Sequence, residues 1–461
     1  MWITFIAYGI LMLYLSYLGY KKTRTREDFY IAGRQVWPYL LAFSIAAASA
    51  SGWMYIGSPG MGYSYGLIEL VDTLAWIPCF FIVSVIVIPL FRNLAVKYNS
   101  ITISGMVGEA HGYSYRVTFV TSIILILQYM MYIVAQYKAA GTVLSIMLGI
   151  PFLTSTIIFI VIMTVVMILG GFRSIEYTDV MGALFMLFAG LTGFWLIYAS
   201  VGGFGPLFER AAAIDPELVY PTTGEPYSFS VWSAFLFITI AYTAFQFHPG
   251  ISQKYIAIAP PKRKQLVVIG TVSGFITLIA ISLTYVGLAG RIVMPGLENP
   301  DSVIPRMAIV YLPEPIAALL FIGILSAILT TADSVLLSMG GALDDILNPL
   351  FEKRRTSPKW RMFWTRVIMI IVILLCFVWV VIRPPKLLVY LALLGSCGIA
   401  AVLTGPLLIR SFWGGTEKAA LISLIGTYAI YLTIAVFNLL RWIETVVAGM
   451  AISAISVSYT H

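Results

Sequence analysis

Ala46-Ala47-Ala48-Ser49-Ala50-Ser51-Gly52-Trp53, followed by Gly57-Ser58-Pro59-Gly60, and far downstream Gln246-Phe247-His248-Pro249-Gly250, decide how this chain is built. Each stretch interrupts an apolar run long enough to cross a bilayer. Small residues, Gly and Pro release backbone amides and carbonyls from the helical ladder, and hydrocarbon offers those groups no partner. Interrupted backbone at membrane depth therefore survives only where it lines a polar cavity. Two interrupted helices in corresponding positions of two halves point to a transporter's binding site. Small residues from Ala46 to Ala50 alone could equally serve close helix packing. The second break, in the matching position, argues for the cavity.

Working outward from the breaks, the rest of the chain reads as apolar runs bounded by charge, Gly or Pro. They predict helices at about 2–20, 36–57, 67–90, 117–148, 151–170, 178–201, 229–247, 266–293, 315–339, 362–382, 387–409 and 418–440. A shorter, Ser- and Ala-rich run at 443–459 makes about thirteen. The breaks fall in spans two and seven, five helices apart. That spacing suits an inverted repeat of spans two to six (36–201) and seven to eleven (229–409), with span one (2–20) ahead and 418–459 behind. The expectation is an all-α integral membrane protein, one transmembrane domain over 1–461.

Composition agrees. Of 461 residues 60% are hydrophobic and 10% charged, with mean hydropathy +0.94; soluble domains carry about 25% charged residues. Trp2 to Tyr20 is apolar and ends in Lys21 and Lys22, without a small-residue cleavage site, so a retained first span is expected. Cys79, Cys376 and Cys397 all fall in apolar spans and read as reduced packing residues.

The net charge of +8 would suit nucleic acid, but its placement does not. Alternate loops around 21–34, 92–116, 173, 254–264, 353–366 and 410–418 hold 21 Lys and Arg, the last two being Arg410 and Lys418. The other loops hold six: Arg210, Arg291, Arg306, Arg383, Lys386 and Arg441. Positive loops stay on the cytoplasmic side, so a multi-pass protein of the plasma or inner membrane with an outside N-terminus is expected. No nucleic acid and no obligate protein partner is implied.

Span nine carries Ala327-Ile328-Leu329-Thr330-Thr331-Ala332-Asp333-Ser334. An acid at this depth marks an ion path or a paired contact between helices. Thr330, Asp333 and Ser334 share one helical face. Hydroxyls, carboxylates and free carbonyls are hard ligands suited to an alkali cation. Asp179, at the start of span six, is the other acid able to reach this depth, whereas Glu176 is expected at the membrane surface. Asp333 is expected about two turns short of the inner end of its helix.

At these residues the chain resembles the sodium:solute symporter family over roughly 1–440. Phe29-Tyr30-Ile31-Ala32-Gly33-Arg34 resembles the family's entry to span two, and Ser51-Gly52-Trp53 its break. Gly170-Gly171-Phe172 with Thr178-Asp179, His248-Pro249 with Gln253-Lys254-Tyr255, and Thr330-Thr331-Ala332-Asp333-Ser334 follow in family order. The resemblance implies a LeuT-type five-plus-five fold and sodium as coupling ion. It also implies a main sodium site of Ala47, Ala50 and Ala327 carbonyls with the Thr330 and Thr331 hydroxyls. A second site, giving two ions per solute, would use Asp179, Thr330, Asp333 and Ser334. Several relatives carry Asp where this chain has Ser49, so a carboxylate from span two is missing here.

The family's substrate lies between the broken spans and spans four, nine and eleven. Candidate liners are Ser51, Trp53, Glu69, Gln136, Lys138, Tyr242, Phe245, Gln246 and His248. The proline transporters resembled here have Trp and Tyr where Ala241 and Phe245 align, which speaks against proline. Lys138 lies about 33 Å along a helix from Arg116; it either snorkels to the outer interface or binds a substrate carboxylate. The solute class expected is a small organic anion or an amino acid, imported by alternating access. No metal-type spacing, nucleophile motif or phosphate loop suggests an enzyme. Proton coupling and a sensor on the same fold are the rival readings.

Overall fold

The computed structural model describes residues 1–461 apart from 221–229, 383–387, 410–413, 438, 441 and 460–461. Arg383, Lys386, Arg410 and Arg441 of the loop charges, and one residue in each of three predicted spans (229, 387 and 438), lie outside the described residues. Regular structure among the described residues is helical, with one isolated parallel bridge between Val36 and Ile258. Among the described residues eight helices are long and apolar enough to cross a membrane, or nine if the pair Val231–Phe245 and Pro249–Ala257, bent by 62°, is one span. Shorter apolar helices cover Pro38–Ser49, Phe152–Ile168, Gly395–Leu408 and Glu444–Val457.

Several boundaries differ from expectation, span three for one running on to Tyr98. Span two does not end near Gly57: after its break it resumes as a π-helical turn, Trp53–Gly57, and a helix, Ser58–Tyr65. Pro59 follows the π-helical turn directly. Span nine runs from Glu314 to Lys353, well beyond residue 339. Asp333 therefore lies about 30 Å from the C-terminal end of its helix rather than two turns. Spans five and six form one helical run, Phe152–Val201, interrupted only at Gly171.

Gly171 has φ 57° and ψ −142°, and a β-carbon there would fall 2.5 Å from the Phe29 carbonyl. Backbone shape and crowding both demand glycine. Gly171→Ala is expected to cost about 1–3 kcal/mol, read as a lower melting temperature of the detergent-purified protein. An unchanged melting temperature would contradict the local account.

Burial orders the bundle. The most apolar window of span nine is 83% buried, against 33% for spans one and ten. Span nine is the central post, and spans one (Trp2–Lys22) and ten (Pro358–Ile382) lie at the periphery, with Ile3, Ile6, Ile371, Leu374 and Leu375 exposed. Such faces suit lipid rather than water.

The end holding most of the basic residues is tied shut. Asp344 on span nine accepts from Arg26 at 2.5 Å and from Arg361 at 2.6 and 3.0 Å. Asp345 accepts from Thr102 and Ser104 at 2.6 and 2.7 Å. Gln253 Nε2 donates to the Ile101 and Tyr30 carbonyls, at 2.7 and 3.2 Å. These contacts join the segment before span two and the short helix Ile103–Ala110 to span nine, and tie Pro249–Ala257 to the residues before each of them.

Candidate functional site

Span two loses its helical ladder just where the small residues end. Ala50 N still donates to Ala46 O at 2.9 Å, but Ser51 N turns to Ser49 O and Met54 N to Ser51 O. The carbonyls of Ala47 and Ala50 thereby lose their helical donors. Two hydroxyls of span nine approach this stretch: Thr330 Oγ1 lies 3.0 Å from Ala47 O, and Thr331 Oγ1 3.2 Å from Ala48 O. Each hydroxyl also faces its own helix, Thr330 toward Ser326 O at 2.9 Å and Thr331 toward Ala327 O at 3.0 Å. A hydroxyl has one proton, so two donors here confront four carbonyls. That surplus of buried oxygen lone pairs suits a small hard cation. Ala47, Ala327, Thr330 and Thr331 lie together. Ala48 joins them, which its sequence context did not reveal, while Ala50 makes no hydrogen bond to either threonine.

About one turn N-terminal to these residues on span two stands a charged group. Lys254 Nζ lies 2.5 Å from Asp179 Oδ2 and 2.9 Å from Ser44 Oγ, and Ser44 Oγ donates to Asp179 Oδ2 at 2.6 Å. Lys254 is 1% exposed and is no loop charge, contrary to its place in the loop count. Glu176 is likewise buried, not at the surface, and neither of its oxygens has a partner. Asp333 is fully buried with both oxygens unpartnered, beside an unpartnered Ser334 hydroxyl. Asp179 is thus already ion-paired before any mobile cation reaches it.

The candidate substrate residues split into bracing and free groups. Gln246 is a brace: its amide donates to Ser49 Oγ at 3.1 Å and its oxygen accepts from Tyr255. Ser51 Oγ caps Trp53 N at 3.1 Å. Tyr129, unnoticed in the sequence, caps the span-seven break by accepting from Gly250 N at 2.7 Å, and its hydroxyl lies 3.2 Å from His248 Nδ1. Trp53 Nε1, Glu69 Oε1, both Gln136 amide atoms and His248 Nε2 remain buried without partners. Orphans of this kind in a native interior call for a ligand or water.

Glu69 has an acidic neighbour that the sequence reading passed over. Asp72 is 2% exposed and accepts from Tyr242. Glu69, Asp72 and Trp76 fall on one stripe of span three. Trp76 stacks on Tyr242 with centroids 4.1 Å apart and meets Phe245 edge-on at 5.7 Å. Phe245 in turn lies 5.0 Å from the His248 ring. The result is an aromatic wall next to two buried carboxylates, neither of which has a salt bridge among the described residues.

Lys138 is half-buried, with Asp301 an acid that acts on it electrostatically. If it snorkels to the interface, it takes no part in binding a substrate carboxylate. Lys138→Met should then weaken an acid and its amide analogue equally, or leave both unchanged, in a direct binding titration. A loss confined to the acid would restore the substrate contact.

A profile described as "Sodium:solute symporter family" matches residues 29–427. A sodium/pantothenate symporter of Haemophilus influenzae is 24% identical over 459 residues, covering 95% of this chain and 93% of the relative. The high-affinity proline transporter PutP of Bacillus subtilis is 26% identical over 468 residues, covering 97% and 95%. Among solved structures, a substrate-bound outward-open sodium-coupled sialic acid symporter superposes with a TM-score of 0.82 at 18% identity, covering 100% of this chain and 97% of the other. A closed nucleobase-cation symporter with bromovinylhydantoin bound gives 0.61 at 15% identity, covering 93% of both. These likenesses bear out the LeuT-type fold, and the profile spans the two broken helices, the Thr330-Thr331 pair and Asp179. The chain belongs to the sodium:solute symporter family.

Proposed function

We propose that this protein imports a small amino acid together with sodium by alternating access, its N-terminus outside the cell membrane. The observation that carries the sodium reading is the surplus of buried oxygen acceptors where span two breaks against Thr330 and Thr331. Ala47, Ala48 and Ala327 carbonyls with both hydroxyls would hold the ion, and Ala50 stays a candidate through its unladdered carbonyl. The break in span seven supplies the facing wall. The tied inner end and the paired breaks support a site that opens to one side at a time.

The solute class rests on Glu69 and Asp72. Burying two carboxylates without a cation is destabilising by several kcal/mol each. A solute ammonium would relieve them, and the adjoining Trp76, Tyr242 and Phe245 rings favour a cation as well. Of the two classes expected from sequence, an amino acid brings that ammonium and an organic anion without one does not. Melting curves of the purified protein with amino acids and with matched carboxylates, each in sodium and in potassium, test the reading. Stabilisation by an amino acid only in sodium is expected; stabilisation by the carboxylates alone would refute the assignment.

A further inference from the structure

The resemblance implies a second sodium site of Asp179, Thr330, Asp333 and Ser334, and the geometry at Asp179 does not fit one. We infer that the Lys254 ammonium fills that second-cation position, so that each cycle binds one sodium ion. The inference rests on the sodium-symport reading above.

The position is taken sterically and electrically. Lys254 Nζ touches Asp179 Oδ2 at 2.5 Å and Ser44 Oγ at 2.9 Å, and lies 5.6 Å from the Phe172 ring centroid. Lysine and aspartate are 1% and 0% exposed. An ammonium has three donors and no lone pair, so it offers a neighbouring sodium ion no ligand. A sodium ion on the same carboxylate would set two unit positive charges side by side in a dry interior, where screening is weak.

The ammonium also stands where a coupling cation would be useful. Ser44 precedes Ala47 by one turn of span two. Asp179 precedes Gly182 by about one turn of span six, and a β-carbon at Gly182 would meet Thr330 Cγ2 at 2.8 Å. The fixed charge therefore lies about one helical turn inward of the main sodium ligands. The acids facing Lys254 from the packed elements are Asp179, Glu176 and Asp333. Two cations serve this group: a mobile sodium beside Thr330, and Lys254. Because Lys254 rides on Pro249–Ala257 while Ser44 and Asp179 belong to spans two and six, its hydrogen bonds also bolt three elements together across the inner exit.

Equilibrium binding of radioactive sodium to the purified full-length protein counts the ions without any solute. The wild type should bind one sodium per chain with a Hill coefficient of 1. Lys254→Met should bind two, with steeper dependence, and Lys254→Met/Asp179→Asn should return to one. Two ions in the wild type, or one in a folded Lys254→Met, overturn the inference and leave sodium symport standing. No saturable sodium in the wild type overturns sodium symport and this inference with it. If Lys254→Met fails to fold, the wild-type count and the charge-balanced double variant still decide.

Discussion

Thr330→Ala and Thr331→Ala each raise the sodium concentration for half-maximal binding by about 10- to 100-fold. Each change removes one oxygen ligand from an ion held in a dry site, a loss of about 1.5–3 kcal/mol for a bond to a charged group. Each also strips a carbonyl of span two of its only side-chain hydrogen bond, to Ala47 or Ala48. Solute affinity at saturating sodium should fall far less, because neither hydroxyl faces the aromatic wall. Thr331→Ser, which keeps the oxygen, should stay close to wild type. The measurement is a sodium titration of binding at fixed solute. Wild-type sodium dependence in both alanine variants would remove the proposed main site.

The second large effect is expected on the solute. Glu69→Gln and Asp72→Asn should weaken the amino acid by about 30-fold or more, since breaking a buried charge pair costs about 2–5 kcal/mol. Sodium binding without solute should change little. The contrast matters: a merely structural carboxylate would lower the melting temperature and both affinities together. Unchanged solute affinity in both variants, or tighter binding of a simple carboxylate by the wild type than by Glu69→Gln, would contradict the assignment of the ammonium.

The parts of the site legible in the sequence were those that break local rules. Gly52, Gly57, Pro59 and Pro249 interrupt apolar runs in ways that hydrocarbon does not tolerate, and Asp333 stands in a run where charge is costly. Both signals are local, and both led to buried polar positions. Lys254 was hidden by its surroundings. It follows a break, precedes Pro260, Pro261, Lys262, Arg263 and Lys264, and sits on a nine-residue helix too short to read as a span. Local sequence therefore reads it as another inner-loop charge; only the fold brings it to Asp179, 75 positions away. Glu176 was missed for the related reason that spans five and six continue through Gly171, which carries their junction into the protein. Asp72 lay one turn from Glu69 near the N-terminal start of span three, where an acid raises no alarm. Tyr129 and Ala48 act through contacts between distant helices, for which no single stretch of sequence holds a signal.

The most direct test of the whole account is solute accumulation in proteoliposomes at clamped zero membrane potential. An inward sodium gradient should concentrate a labelled amino acid above its external level, and a sodium ionophore should abolish the accumulation while a protonophore leaves it intact. Accumulation driven by a proton gradient in sodium-free buffer, or simple equilibration regardless of the sodium gradient, would contradict sodium-coupled symport.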